Sequence, residues 1–291
     1  MQSSVGQADS SHSGTHGQSM TLVLTEVSYR GIVMAADTAL YLKSQRKIEF
    51  GPKVFSMPFL HAGLSIWGGP FPSPSADWIS AFITNQVASG CPDIPTFATR
   101  LAELANRDVS GGVSTPPFLG TAGFHVAGYS PRGVPMMYHV HNGFPSGVIP
   151  GDNPHPFVAH DDISESRGQT LLGWGEVQLR RSGDYQFQGM LWDRFESMTG
   201  ELNPLIHSEL LEAVPTPFMM PGGIELLNRS IYRATQVHVA SLLYRTSNIA
   251  QILGTADPHV AGDVHVLAFG ATTPPTAPRV TKLSEHGVII L

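Results

Sequence analysis

The chain has almost no apolar residues before position 21 and then changes character at once. Residues 1–20, MQSSVGQADSSHSGTHGQSM, cannot bury enough surface to offset their ordering entropy, and are expected to form a disordered leader or propeptide. From Thr21 onward, Leu22, Val23, Leu24 and Val27 predict a strand that is apolar on both faces. Tyr29-Arg30-Gly31 marks a turn, and Ile32 to Ala36 predicts a second, continuously apolar strand ending at Asp37. Val54 to Met57 and Phe59 to Ile66 predict a further hairpin, with the small pair Ala62-Gly63 inside it. Glycine within a strand costs stability and marks close approach of another backbone or a ligand.

Beyond a Pro-rich loop from Gly68 to Pro74, a helix is predicted over Ala76 to Ser89, with Trp78, Ile79, Phe82, Ile83 and Val87 on one side. Asp93 stands where an N-cap belongs, ahead of a second helix over Ile94 to Asn106. Strands over Thr121 to Tyr129 and Pro135 to His141 follow, joined by the turn sequence Ser130-Pro131-Arg132-Gly133. Residues 143–167 hold too many Pro, Gly and Asp for regular structure. Thr170 to Leu172 predicts a short strand entering Gly173-Trp174-Gly175. The longest helix is predicted over Ile224 to Asn248, with Ile224, Leu227, Ile231, Ala234 and Leu242 on one stripe. Strands near Asp263 to Phe269 and Val280 to Leu291 close the chain. This order predicts a single α+β domain over residues 21–291, with sheets packed between layers of helices.

Composition narrows the functional classes. A length of 291 residues, 42% hydrophobic and 14% charged, suits a compact particle with extensive buried surface, subunit interfaces included. A formal net charge of −6 without a Lys/Arg-rich run argues against nucleic-acid binding. Cys91 is the sole cysteine, so an intrachain disulfide framework is excluded and a reducing, cytoplasmic setting is expected. Neither an apolar run of membrane-spanning length nor a secretory signal pattern is present, and no membrane partner is expected.

Candidate chemistry gathers at three predicted strand ends. Thr21 opens the first strand, Asp37 closes the second sixteen residues later, and Lys53 opens the third after another sixteen. A threonine hydroxyl needs a base to become a nucleophile. A free α-amine, with a pKa of about 7.7–8, is such a base and would lie on the same residue once residues 1–20 are gone. Removal of Met20 before the small Thr21 would expose it equally well. A nearby lysine would lower that amine's pKa and assist proton transfer, and an aspartate would hold the lysine in place.

Thr21-Leu-Val-Leu, Gly31-Ile-Val-Met-Ala-Ala-Asp37-Thr, Lys53-Val-Phe and Ala62-Gly63-Leu together resemble a proteasome β-type subunit, bacterial relatives included. The resemblance covers roughly residues 21–66, and against it residues 143–167 and 200–222 look like insertions. It implies a four-layer αββα sandwich of the N-terminal-nucleophile hydrolase type, and threonine peptidase chemistry without a cofactor. It gives Thr21 the roles of nucleophile and, through its amine, base. Lys53 would tune that amine, Asp37 would orient Lys53, and the Gly63 backbone N–H would donate to the oxyanion. Gly173-Trp174-Gly175 would occupy the place where the family carries a Ser between glycines near the threonine, and Asp257 would stand for an Asp before the last strands. The resemblance further implies self-assembly into rings, a peptide or protein substrate, and an unfoldase ATPase as a candidate partner. Two alternatives stay open: an amidohydrolase of the same superfamily acting on a small amide, and a non-catalytic structural subunit in which Trp174 occludes the site.

Other signals weigh less. His139 and His141 share a strand face, and His155 and His160 follow, so a metal site is conceivable; in a chain with 13 histidines, surface or hydrogen-bonded roles are favoured and no metal is expected. Ser44-Gln45-Arg46-Lys47 matches S-x-x-K but reads as an exposed turn. Phosphate-loop and dinucleotide motifs are absent, and Cys91 beside Pro92 reads as structural.

Overall fold

The computed structural model describes residues 21–42, 47–68, 75–110, 122–142, 156–175, 177–183, 226, 229–234, 236–237, 263–273, 275–284 and 287–290. Strands β1 (Leu22–Ser28) and β2 (Gly31–Asp37) form the predicted hairpin, buried at every position. Both faces are covered, which is why both strands read as nearly continuous apolar runs. Val23 and Val27 join a cluster between two sheets, whereas Leu22 and Leu24 join a cluster on the opposite face. Gly31 closes the turn at φ +153°, where a side chain would stand 2.8 Å from the Phe269 carbonyl oxygen and 2.7 Å from Leu226.

The hairpin is the middle of a six-stranded antiparallel sheet. Strand β10 (Val177–Gly183) flanks β1, β11 (Val264–Phe269) flanks β2, and β12 (Arg279–Ser284) and β13 (Gly287–Ile290) continue outward. The final stretch, expected as one strand, is thus two. A second antiparallel sheet runs in the order β5 (Val54–Met57), β6 (Ala62–Gly68), β7 (Ala122–Tyr129), β8 (Pro135–His141) and β9 (Val158–Ile163). The short pair β3 (Ala39–Leu42) and β4 (Lys47–Phe50) stands apart.

Helices α1 (Ser75–Ala88) and α2 (Ile94–Ala105) cover the outer face of the second sheet. Asp93 caps α2 as expected, its carboxylate accepting from the Thr96 N–H at 2.8 Å. On α1 the buried stripe includes Gln86, while Val87 is exposed. Helical residues between 226 and 237 cover the first sheet's outer face: Leu226, Ala234 and Val237 pack on Leu22, Leu24, Val33 and Ala35. The layers are therefore helix, sheet, sheet, helix, an αββα sandwich.

Two expectations change. Residues 143–167 are not wholly irregular, because they include β9 and the start of helix α3 (Glu165–Trp174). Thr170 to Leu172 lie within that helix instead of a strand. The polar composition that suggested a loop belongs to an edge strand paired only with β8, exposed at most positions. Ser164 caps α3, accepting from the Arg167 N–H, and Gly168 seats it: a Cβ there would lie 2.0 Å from the Pro135 carbonyl oxygen. Residues 200–222 lie outside the described residues. Among the described residues no helix is long and apolar enough to cross a membrane.

Candidate active site

The hairpin pairing brings the end of β2 to the start of β1, because Val23 lies opposite Ala36. Asp37 therefore arrives beside Thr21 without any long loop. Its Oδ1 accepts from the Leu22 N–H at 3.1 Å and its Oδ2 from the Ala39 N–H at 3.1 Å, which fixes the carboxylate. Lys53 precedes β5, and its carbonyl accepts from the Ile66 N–H at 2.9 Å. From there its Nζ reaches across the sandwich, donating to Thr21 Oγ1 at 2.8 Å and to Asp37 Oδ1 at 3.0 Å. Thr21, Asp37 and Lys53 thus form one constellation, 2%, 0% and 1% exposed respectively. Burial lowers the pKa of Lys53, while the charge of Asp37 and its hydrogen bond oppose that shift. The lysine is a desolvated donor shared between a hydroxyl and a carboxylate.

Gly63 is not part of that constellation. It pairs with Ser56 on β5, three residues along β6 from Ile66, about 10 Å at a rise of ~3.4 Å per residue. A Cβ on Gly63 would meet Leu267 at 2.5 Å and the Met34 sulfur at 2.6 Å, so this glycine admits the opposite sheet. The part of β6 at the Lys53 end is Ile66 to Gly68. Trp174 also lies elsewhere. Gly175, left-handed at φ +68°, ends α3 and stands close to Tyr29, just past the end of β1 remote from Thr21. The Trp174 side chain is 80% exposed there. Beside the start of β1 the neighbouring strand instead supplies Ser182 and Gly183, opposite Val23 and Leu22. Asp257, His155 and Ser44 lie outside the described residues.

The sequence reading missed a polar seam between the sheets. The imidazole of His125, on β7, bonds Thr25 Oγ1 through Nδ1 at 2.8 Å and Ser182 Oγ through Nε2 at 2.8 Å. Beside it, His139 Nε2 lies 3.2 Å from the Trp67 indole nitrogen and His139 Nδ1 lies 2.7 Å from an Arg180 nitrogen. His141 stacks on His139 at 4.2 Å between ring centroids, and His160 lies 4.8 Å from His141. Burial, with Arg180 and His141 nearby, pushes His125 down to about 3. Burial with His160 and Arg180 pushes His141 down to about 4. The one available signal was a lone His inside the small, apolar run Ala122-Gly-Phe-His-Val-Ala. Among the described residues no group of three or more His, Cys, Asp or Glu is arranged to hold a metal ion. Cys91 is buried, and burial pushes its thiol pKa up.

An αββα sandwich with a threonine at the head of a central strand has the N-terminal-nucleophile type of fold, in its proteasome-like form. Comparison with solved structures is specific about the neighbours. A helical assembly of the Anbu complex from Pseudomonas aeruginosa matches with a TM-score of 0.50 at 14% identity, covering 91% of this chain and 88% of the other. Anbu from Hyphomicrobium sp. strain MC1 matches at TM-score 0.49 and 11% identity, covering 89% and 86%. Anbu, described as an ancestral beta-subunit, from Yersinia bercovieri matches at TM-score 0.47 and 12% identity, covering 88% and 86%. At such identities the likeness shows the fold alone. No protein-family profile and no curated protein matches the sequence. The resemblance to proteasome β-type subunits is accordingly corrected: the structural neighbours are Anbu proteins, proteasome-like but a distinct family.

Proposed function

We propose that this chain is a threonine-type hydrolase that cleaves peptide bonds by acyl transfer to Thr21. The observation that carries the reading is the position of Lys53 Nζ, buried and donating to Thr21 Oγ1 and Asp37 Oδ1 together. With residues 1–20 removed, the Thr21 amine takes the hydroxyl proton as Oγ1 attacks the carbonyl carbon. Lys53 donates to Oγ1, which stabilises charge growing on that oxygen, and Asp37 keeps the lysine aimed. Collapse of the tetrahedral intermediate breaks the C–N bond, and the departing amine takes the proton. Water then hydrolyses the ester, with the Thr21 amine as base. The Ile66 N–H is taken by the Lys53 carbonyl, so the oxyanion contact is assigned to the Gly68 backbone N–H at the same end of β6. A cleft of about 400 Å³, lined by Pro52, Val54, Ser56, Ile83 and His265 among others, opens beside β5 and gives the acyl chain a place. The Pseudomonas aeruginosa neighbour is a helical assembly, and we extend self-association to this chain.

The test is the mass of the mature chain together with hydrolysis of peptide and small-amide substrates by the protein and by Thr21→Ala. A mature chain starting at Thr21, with Thr21-dependent peptide cleavage, is the expected result. Retention of residues 1–20 in the active form would remove the amine base and overturn the mechanism. A second reading, a self-assembling subunit without catalysis, is favoured by one observation: Thr21 is almost wholly enclosed. Absence of any Thr21-dependent turnover would select it.

A further inference from the structure

His139 sits in the seam with a chemical conflict at its ring. Its Nε2 faces the Trp67 indole N–H at 3.2 Å, and its Nδ1 faces an Arg180 guanidinium nitrogen at 2.7 Å. Both partners are donors only, and neither can accept. A neutral imidazole offers one acceptor nitrogen and one N–H, so it satisfies one of these partners at a time. Protonation removes the acceptor altogether and is opposed by burial and by the neighbouring His125, His141, Arg180 and His160. The ring is further held by His125 edge-on at 5.0 Å and by His141 stacked at 4.2 Å, so it cannot tilt away from the conflict cheaply.

Each donor has a different alternative. Arg180 already holds Asp162 through Nε at 3.4 Å and is partly exposed, so the nitrogen that faces His139 can turn to water while that ion pair stays. The Trp67 indole is buried away from water, and its N–H meets His139 Nε2. Trp67 also matters more to the Thr21 site. It directly follows Ile66, whose N–H holds the Lys53 carbonyl, and its side chain shares an apolar cluster with Val23 and Val54, which adjoin Leu22 and Lys53.

We propose that His139 is a positioning residue for Trp67 at the Lys53 end of the Thr21 site, and that Trp67 and Arg180 compete for its one acceptor nitrogen. In the Nδ1–H tautomer Nε2 accepts from Trp67, and Arg180 keeps Asp162 while its other nitrogen swings from His139 to water. In the Nε2–H tautomer Nδ1 accepts from Arg180, and the indole loses its partner, loosening the end of β6. The two states differ by one proton position and one guanidinium swing.

The experiment reads the tautomer directly, by ¹⁵N NMR of the His139 ring in the full chain near neutral pH. The wild type is expected to show nitrogen shifts averaged between the two tautomers. Arg180→Leu, at a partly exposed position, should move the ring to the Nδ1–H form, and Trp67→Phe to the Nε2–H form. The same tautomer in both variants, unchanged shifts in Arg180→Leu, or an imidazolium in the wild type would overturn the competition. The positioning role rests on the reading of Thr21 as a nucleophile, and its assay is acylation of Thr21 by a peptide β-lactone. His139→Gln, which keeps an acceptor oxygen, should acylate within about threefold of wild type. His139→Leu should lose at least tenfold in rate with probe affinity little changed. Equal loss in the two variants would refute positioning. A wild type that is never acylated would refute the nucleophile and the positioning role with it, while leaving the tautomer measurement to decide the competition separately.

Discussion

Replacing Asp37 with Asn tests the buried charge constellation most sharply. The carboxylate is wholly buried and accepts from the backbone N–H groups of Leu22 and Ala39 and from Lys53. Asn keeps one acceptor oxygen, and its amide group must then face one of those donors. Lys53 loses its only described counter-charge while staying enclosed. Breaking a buried pair by removing one partner costs about 3–5 kcal/mol, and a loss of that size is expected at pH 7. The pH dependence adds a sign. In the variant, burial lowers the Lys53 pKa with no Asp37 charge to oppose it, while the unfolded value is about 10.4, so below that value the unfolded chain binds more protons than the folded chain. Stability should then rise with pH by as much as ~1.4 kcal/mol per unit up to about pH 10. The difference from wild type should shrink accordingly, provided the wild-type pair stays charged. Urea unfolding at pH 7, 8 and 9 measures both effects. Adding Lys53→Met should restore most of the loss, because an uncharged pair needs no compensation. A loss below about 1 kcal/mol, independent of pH, would show that the lysine and the aspartate are not a desolvated ion pair.

His125, with an unfolded pKa near 6.5 and a folded one of about 3, contributes stability that is fully present above about pH 6.5. That contribution is lost at roughly 1.4 kcal/mol per unit as pH falls toward 3. Denaturation curves between pH 7 and 5 should therefore be flatter for His125→Gln than for wild type, and parallel curves would contradict the assignment. Gly168→Ala raises helix propensity by about 1 kcal/mol in favourable cases, yet here should destabilise by roughly 1–3 kcal/mol, because the new methyl meets the Pro135 carbonyl; a gain in melting temperature would refute the seating of α3. Trp174→Ala should change stability by no more than about 0.5 kcal/mol and leave Thr21 acylation unaltered, whereas a changed acylation rate would place the indole at the site after all.

The layers were legible because covered strands announce themselves. β1 and β2 read as apolar runs, and Asp37 and Lys53 stood out as charges at the ends of such runs. A glycine that admits a facing sheet and one that approaches a ligand look alike in sequence, and only the pairing of Gly63 with Ser56 shows how far along β6 it stands from Lys53. Gly173-Trp174-Gly175 read as a loop beside the threonine, but Gly175 is a left-handed stop at the end of a helix, and the true neighbour of Leu22 is Gly183. The seam of His125, His139 and Arg180 left little local pattern beyond a histidine inside an apolar run and a second one on the next strand. Its members come from β7, β8 and β10 and meet only because two sheets stack.

The pairing of β2 has a consequence for the order in which the molecule can become competent. Asp37 lies opposite Val264, and Gly31 opposite Ser28 while packed beneath the Phe269 carbonyl. The strand that carries the aspartate gains its second neighbour only from a segment more than two hundred residues later in the chain. During synthesis, the first hairpin has both edges unpaired until β10 (Val177–Gly183) can flank β1, and its β2 edge stays unpaired until residue 269 has been made. The threonine, lysine and aspartate therefore stand in an unfinished sheet until that segment has been made, and the chemistry proposed at Thr21 would be withheld until then.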